Sequence, residues 1–395
     1  MRKMIEGSRA VAEAVGLCRP QVIAAYPITP QTHIVEELSQ LVADGEIRAE
    51  YVRVESEHSA ASVCLGAAAS GARTYSATTS QGLLLMTEVM YNIAGMRLPV
   101  VITGVNRAVS APLNIWNDQQ DTLSLRDAGW IQLYAEDNQE ALDLHLQAYR
   151  IGEDYRVLLP VLVCMDGFIL THTYEPVEMP SQEEADAYLP PFDPLFKLDP
   201  ANPVTLGSFV GPEAYQEVRY LLHQSMLGAK EVIREAAQEF RQAFGRWQGD
   251  LLDTYRLDDA ETAFVSMGSV LGTMKEAVDL LRERGERVGI IKVRCFRPFP
   301  GEELRELVKG LKRAIVVEKA VSMGGQGILA ADLRSACYGL PDTEIFGVVA
   351  GLGGRDITPE TIDDIYARAQ RGEARDFFAG LDQRLLEGAY ADAGS

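Results

Sequence analysis

The segment AYPITP carries Tyr26 and places the hydroxyl group of Thr29 between two prolines. Proline fixes its own backbone angle and restricts the residue before it, so this hydroxyl is held in one place. A rigid hydroxyl suits the positioning of a substrate. The simpler alternative is a plain strand-to-helix connection in which Thr29 is the N-cap of the helix.

The segment VESEHSAASVCLGAAASG places Glu55, Glu57 and His58 directly before a helix of small residues. Small side chains let another backbone or a flat ligand approach closely. The simpler alternative is that a glutamate at the helix start stabilises the helix dipole or caps its amides. We interpret His58 as a hydrogen-bonded neighbour rather than a metal ligand, because no second His or Cys stands at ligand spacing.

A long polar loop, GVNRAVSAPLNIWNDQQD, carries Arg107 together with Asn and Asp residues around Trp116. Long loops inside compact domains are often functional, and arginine can bind a carboxylate through two parallel hydrogen bonds. The alternative is an ordinary surface ion pair. The Asp and Asn residues lack the glycine and glutamate of a calcium loop, so we interpret them as loop scaffolding.

Strand and helix patterns alternate around these segments, from about residue 8 to 165. A short apolar strand over residues 22–26 leads to a helix with Ile34, Leu38 and Leu41 on one face. This alternation predicts a doubly wound α/β domain, a parallel sheet covered by helices. Ligands gather at the carboxyl edge of such sheets, and the three segments fall at strand ends on that edge.

The length predicts two domains, because a single core rarely grows past about 250 to 300 residues. We assign residues 1–250 to the first domain, including a proline-rich excursion and a helical extension, and 260–395 to the second. A turn with Gly268 and Gly272 precedes a helix of the second domain, as phosphate-binding turns do. It lacks the rest of a dinucleotide or P-loop motif, so a tight packing turn is the preferred interpretation.

Composition excludes several classes of partner. The formal net charge of -20 disfavours nucleic acid, since binding to a phosphate backbone relies on Lys and Arg. No run of 18 apolar residues appears, so we expect no membrane partner and a reducing cytoplasm. The five cysteines form no C-x-x-C pair, so no iron-sulfur cluster is predicted on this chain alone. They are Cys18, Cys64, Cys164, Cys295 and Cys337.

The three segments, together with LLPVLVCMDGFILTHT, VRCFRPFPGEEL, EKAVSMGGQG and VAGLGGRDIT, resemble the alpha subunits of the 2-oxoacid:ferredoxin oxidoreductase family, and of its pyruvate members in particular. The matching pieces run from the first strand to residue 358, so the resemblance covers nearly the whole chain. It implies a pyrimidine-type thiamine-diphosphate-binding domain followed by a transketolase C-terminal-like α/β domain. It also implies oxidative decarboxylation of pyruvate with coenzyme A to acetyl-CoA and carbon dioxide.

The resemblance implies a role for one residue of each segment. Thr29 would hydrogen-bond the 2-oxoacid, and Arg107 would pair with its carboxylate. Glu57 would bind the pyrimidine of thiamine diphosphate. A carboxyl group at that ring nitrogen favours the imino tautomer, which can take the proton from the thiazolium carbon.

The resemblance also implies partner chains. In the family, the cofactor's diphosphate and magnesium lie in a beta subunit or region with a GDG-type motif, which MDGF at residues 165–168 does not match. The [4Fe-4S] clusters lie on partner subunits as well. We therefore expect beta, gamma and delta-type subunits, with ferredoxin as the electron acceptor.

Alternatives remain open at this point. The chain could serve an oxidoreductase for branched-chain 2-oxoacids, or be a non-catalytic scaffold for a partner's active site. A dinucleotide-dependent dehydrogenase is disfavoured by the missing glycine fingerprint. Lys292, Arg294 and Arg297 could touch coenzyme A phosphates, although local salt bridges are the simpler interpretation.

Overall fold

Two mainly parallel sheets organise the chain in the computed structural model, which describes residues 1–340 and 342–387. The strands are β1 (Arg2–Glu6), β2 (Val22–Ala25), β3 (Glu50–Arg53), β4 (Thr74–Thr78), β5 (Val101–Asn106), β6 (Ile131–Tyr134), β7 (Val161–Asp166), β8 (Tyr174–Glu178), β9 (Leu252–Tyr255), β10 (Thr262–Ser266), β11 (Val288–Val293), β12 (Cys295–Arg297), β13 (Arg313–Glu318), β14 (Glu344–Val349) and β15 (Asp376–Phe378).

Helices connect most of these strands. They are α1 (Gly7–Leu17), α2 (Thr32–Ala43), α3 (Glu57–Ala69), α4 (Ser80–Leu85), α5 (Thr87–Gly95), α6 (Gln120–Leu123), α7 (Asn138–Gly152), α8 (Gln182–Tyr188), α9 (Tyr215–Phe244), α10 (Val270–Glu283), α11 (Gly301–Val308), α12 (Ile328–Ala336) and α13 (Pro359–Gln370), with a short 3-10 helix at Leu352–Gly354. Among the residues described, no helix combines the length and the apolar character that a membrane crossing requires.

The first sheet has the strand order β12-β6-β7-β5-β4-β2-β3 and is parallel except at β12. Every residue of its central strands β4, β5 and β7 is buried, as expected for a parallel sheet with helices on both faces. The doubly wound α/β prediction is confirmed. On α2, Ile34, Leu38 and Leu41 are buried, in agreement with their helical spacing.

The second sheet has the order β15-β14-β13-β10-β11-β9 and is parallel except at β9. Helices α10 and α13 pack together, and α11 packs against α12. A capping box starts α13: the Thr358 hydroxyl accepts from the backbone N–H of Thr361, and Pro359 stands at the first helical positions.

The short strand β12 follows β11 of the second sheet in the chain but belongs to the first sheet. β12 pairs antiparallel with β6, so Cys295 lies opposite Leu133. Beside it, Glu140 of α7 is fully buried and accepts from Lys292 Nζ at 2.8 Å and Arg294 Nε at 3.0 Å. Lys292 and Arg294 therefore form salt bridges, but these are not local, because their shared partner lies on α7.

Some boundaries differ from the sequence patterns. Between β4 and β5 the chain forms two helices, α4 and α5, joined at Met86. Strand β7 begins only at Val161, although the chain is apolar from Val157, because the N–H groups of Val157 and Leu158 both donate to the Asp154 carbonyl at 2.8 Å. The proline-rich excursion contains β8, which pairs with β1 in a separate two-stranded sheet.

Candidate functional site

The loops that follow β2, β3, β4 and β5 lie side by side, because these four strands are neighbours in the first sheet. Thr29 follows β2, Glu57 follows β3 and Arg107 follows β5. Helix α4 begins directly after β4, the strand that lies between β5 and β2 in the sheet. The carboxyl edge therefore brings the three predicted residues into one region, as the position of the strand ends predicts.

Arg107 is buried and its guanidinium is held by neutral acceptors. Its Nη1 donates to the Thr29 carbonyl at 2.7 Å, its Nη2 to Gln81 Oε1 at 3.2 Å and its Nε to the Asn114 carbonyl at 3.2 Å. No carboxylate of the described residues forms a salt bridge with it, so the surface ion pair considered above is wrong. Burial lowers the pKa of Arg107, and nearby Asp121 opposes this. A buried guanidinium that forms no salt bridge among the described residues favours an anionic ligand.

Asp121 fixes the backbone on both sides of this region. Its Oδ2 accepts from the N–H of Ser80 at 3.0 Å and from the N–H of Arg107 at 3.1 Å. Its Oδ1 accepts from Asn106 Nδ2 at 3.0 Å. Complete burial raises the pKa of Asp121 to about 7. One carboxyl group thus joins the start of α4 to the loop between β5 and α6, residues 107–119, which we call the arginine loop.

Glu57 is the first residue of α3 and only 7% exposed. It does not cap the helix, because the Ser56 hydroxyl accepts from the Ser59 N–H at 3.2 Å. Its carboxyl faces α4: a Cβ added at Gly82 would lie 2.6 Å from Glu57 Oε1 and 2.6 Å from Thr78 Oγ1. Only glycine leaves room at this position for the carboxyl group.

Unsatisfied polar atoms lie in the segment that leads to Gly82. Thr78 Oγ1, Thr79 Oγ1 and Gln81 Nε2 are buried and have no hydrogen-bond partner among the described residues. Ser80 has a φ of 48°, a left-handed conformation that costs energy for a residue with a side chain. Buried polar groups are normally paired, so this cluster fits a ligand with hydrogen-bonding atoms, such as a pyrimidine ring.

Thr29 is exposed, and its backbone carbonyl contacts Arg107. It is not a helix N-cap, since α2 begins at Thr32 with Gln31 in the cap position. The Gln31 side chain is buried and braces the loop, donating from Nε2 to the Ala77 carbonyl at 2.7 Å and accepting from the Ile28 N–H at 3.2 Å. The proline-flanked loop is therefore fixed by a glutamine that the sequence analysis did not single out.

A second polar cluster joins the arginine loop and the end of β7 to loops of the second sheet. Asp166 Oδ2 accepts from Lys319 Nζ at 2.9 Å and from the Ser269 N–H at 3.0 Å. Asp118 Oδ2 accepts from the Gly353 N–H at 3.1 Å, and burial raises its pKa to about 6. Gly268 packs against Asp166, as the interpretation of a tight packing turn predicts. The Ser269 N–H in this turn already donates to the Asp166 carboxylate.

Two family models match the chain. Residues 13–238 match "Pyruvate flavodoxin/ferredoxin oxidoreductase, thiamine diP-bdg", and residues 260–362 match "Pyruvate:ferredoxin oxidoreductase core domain II". Both models fall within the two segments assigned from the sequence.

Curated relatives match along most of their length. A pyruvate synthase subunit PorA from Methanothermobacter thermautotrophicus is 49% identical over 96% of this chain and 98% of its own. The PorA subunit of Methanosarcina barkeri is 52% identical over 93% and 92%. A ketoisovalerate oxidoreductase subunit VorA from Pyrococcus abyssi is 45% identical over 94% and 93%.

A solved structure shares the fold. The 2-oxoglutarate:ferredoxin oxidoreductase from Magnetococcus marinus, with 2-oxoglutarate, coenzyme A and succinyl-CoA bound, superimposes with a TM-score of 0.69 at 20% identity. The match covers 93% of this chain and 65% of that chain, so this chain spans about two thirds of its length. At this identity the match supports the architecture alone.

Proposed function

This chain belongs to the pyruvate:ferredoxin oxidoreductase family, and from that premise we propose that it is the alpha-type subunit of an enzyme that converts pyruvate and coenzyme A to acetyl-CoA and carbon dioxide. Two electrons leave with each turnover, and ferredoxin takes them one at a time through partner subunits. The PorA relatives at 49% and 52% identity favour pyruvate over branched-chain 2-oxoacids, whose VorA relative stands at 45%.

The observation that carries this proposal is the buried Arg107 guanidinium without a carboxylate partner among the described residues. A 2-oxoacid carboxylate would supply the missing negative charge through charge-assisted hydrogen bonds. Thr29 is exposed and accepts from the same guanidinium through its backbone carbonyl, and its hydroxyl would bond the substrate's oxygen atoms. Arg107 orients the substrate, although very tight binding of its carboxylate would oppose decarboxylation.

Glu57 would hold the cofactor's pyrimidine. Its buried carboxyl, which packs against the bare Cα of Gly82, and the unpaired Thr78, Thr79 and Gln81 atoms fit a flat heterocycle with donors and acceptors. When bound, thiamine diphosphate supplies a nucleophilic carbon and an electron sink for decarboxylation. Glu57 would keep a proton at the pyrimidine nitrogen and so favour the tautomer that accepts a proton from that carbon. The diphosphate and its magnesium would be held by the beta-type subunit.

An apolar surface beside the site supports a covering partner. Leu84, Leu85 and Tyr91 of α4 and α5 are 37%, 51% and 41% exposed, and Leu113 and Trp116 of the arginine loop are 76% and 54% exposed. Apolar side chains grouped around a functional site are typical of a protein interface. We assign this surface to the beta-type subunit, while gamma and delta-type subunits would carry the [4Fe-4S] clusters.

The five cysteines are buried free thiols, which agrees with a reducing compartment, and we place the enzyme in the cytoplasm.

The test is a purified complex assayed with pyruvate, 2-oxoisovalerate and 2-oxoglutarate, coenzyme A and a low-potential electron acceptor. Arg107→Ala should raise the apparent KM for pyruvate by roughly one to two powers of ten, since loss of a charge-assisted bidentate contact costs about 1.5 to 3 kcal/mol. Arg48→Ala removes an exposed arginine far from this edge and should match the wild type. Unchanged pyruvate kinetics in the Arg107 variant would exclude the carboxylate role, and preference for 2-oxoisovalerate would favour the branched-chain alternative.

A further inference from the structure

Three side chains with metal-ligating atoms that the proposed reaction does not use converge in the folded chain. Glu6 ends β1, His33 lies in the first turn of α2 and His172 lies in the loop after β7. One ligand atom of each lies within 4.8 Å of those of the other two. The three residues come from separate elements, so their spacing in the sequence does not predict the cluster.

The two imidazole rings are held in defined positions. His33 Nδ1 lies 2.7 Å from Glu6 Oε1, and the rings of His33 and His172 stack with centroids 4.5 Å apart. His172 Nδ1 lies 2.7 Å from Thr171 Oγ1, which also accepts from the Phe168 N–H at 2.8 Å. A hydroxyl oxygen can accept two hydrogen bonds, and in that arrangement His172 Nδ1 donates and its Nε2 presents a lone pair. Metal-binding histidines commonly use their second ring nitrogen in this way.

The cluster is open to solvent on one side. The side chains of Glu6 and His33 are 19% and 46% exposed, so an ion can enter from solvent.

We propose that Glu6, His33 and His172 bind one divalent transition-metal ion of the zinc type. Two imidazoles and one carboxylate are a ligand set that Zn²⁺ accepts, with water in a fourth position. The ion would tie β1, α2 and the loop after β7 to one another. Because the Phe168 ring lies 4.8 Å from His172 and 6.4 Å from Trp116, the same ion would steady the aromatic side of the arginine loop.

The simpler explanation is an ordinary Glu6 and His33 ion pair with His172 packed beside it. Equilibrium dialysis of the assembled complex against buffered Zn²⁺, followed by elemental analysis, separates the two. Variants are made in this chain only and without a histidine tag, so that zinc on partner subunits cancels in the comparison. The wild type should retain one more zinc per chain than His172→Ala. The control is His223→Ala, which removes an exposed histidine of α9 and should keep the wild-type content.

A second variant keeps the test decisive if His172→Ala fails to assemble. Glu6→Gln preserves the shape of the side chain and should weaken zinc binding at least about tenfold, the lower end of the cost of losing even an outer partner of a metal ligand. Equal zinc content in the wild type and in the assembled variants over the whole range of free Zn²⁺ would overturn the proposal and leave the ion pair. Activity is not a readout here, so the result is independent of the pyruvate assay.

Discussion

Gly82 is the position where one added methyl group tests the placement of the Glu57 carboxyl. In Gly82→Ala the new Cβ would lie 2.6 Å from Glu57 Oε1, whereas ordinary contacts begin at 3.4 Å. The carboxyl must retreat by the difference, about 0.8 Å, and a misplacement near 1 Å can cost about a hundredfold in rate. That factor equals about 2.7 kcal/mol of activation free energy.

The fold should survive this change. Replacing glycine by alanine inside a helix gains about 1 kcal/mol, and overpacking typically costs 1 to 3 kcal/mol, so we expect a net loss of at most about 2 kcal/mol. Turnover with pyruvate, thiamine diphosphate binding and the size of the complex are measured on the same preparation. We expect slow turnover in a complex of normal size.

The matched control is Gly228→Ala in α9, where an added Cβ meets no atom within 4 Å. It should raise stability by about 1 kcal/mol and leave turnover unchanged. If Gly82→Ala turns over at the wild-type rate in a complex of normal size, the carboxyl does not need its observed position. The assignment of Glu57 to the chemistry would then be wrong.

Other predictions use different readouts. Glu57→Gln should lower turnover at least about a hundredfold, the lower end of what a positioned acid or base supplies, while thiamine diphosphate binding weakens less. Burial lowers the pKa of His145 from 6.5 to about 4, so the unfolded chain binds more protons and stability should fall by up to about 3 kcal/mol as the pH drops from 6.5 to 4. His145→Gln should flatten that slope in denaturant titrations. Glu140→Gln should lower the free energy of unfolding by about 3 kcal/mol or more, because Lys292 and Arg294 lose their shared buried carboxylate.

Each of these results has a contrary outcome. Wild-type rates of turnover and of thiazolium proton exchange in Glu57→Gln would leave the residue a structural one. An equal pH dependence of unfolding in wild type and His145→Gln would assign the slope to other groups. A Glu140→Gln chain of wild-type stability would mean that the two cations find water or other acceptors.

The first sheet and the place of the site could be predicted from the sequence because both depend on local patterns. Buried strands such as β7 are nearly continuous apolar runs in the sequence, and the carboxyl ends of parallel strands must share one edge. The resemblance assigned Thr29, Glu57 and Arg107, and the fold brings them into one region. Their roles in the reaction stay predictions until the variants are assayed.

The remaining features depend on contacts between distant segments. Asp121 looked like scaffolding, and nothing in its spacing indicated that one carboxyl oxygen would bind the N–H groups of both Ser80 and Arg107. The same holds for His33 and His172, whose stacked rings come from separate elements. Only the folded chain brings such pairs together.

The strand β12 has a consequence for synthesis of the protein. The first sheet gains its last strand only when Arg297 has been made, although its other six strands end at Asp166. Until then the edge of β6 has no neighbouring strand, and Glu140 has neither of its cationic partners, Lys292 and Arg294. An open strand edge invites pairing with other chains. We therefore expect a nascent chain that ends before β12 to be prone to aggregation, and we expect the two sheets to complete their folding as one cooperative unit.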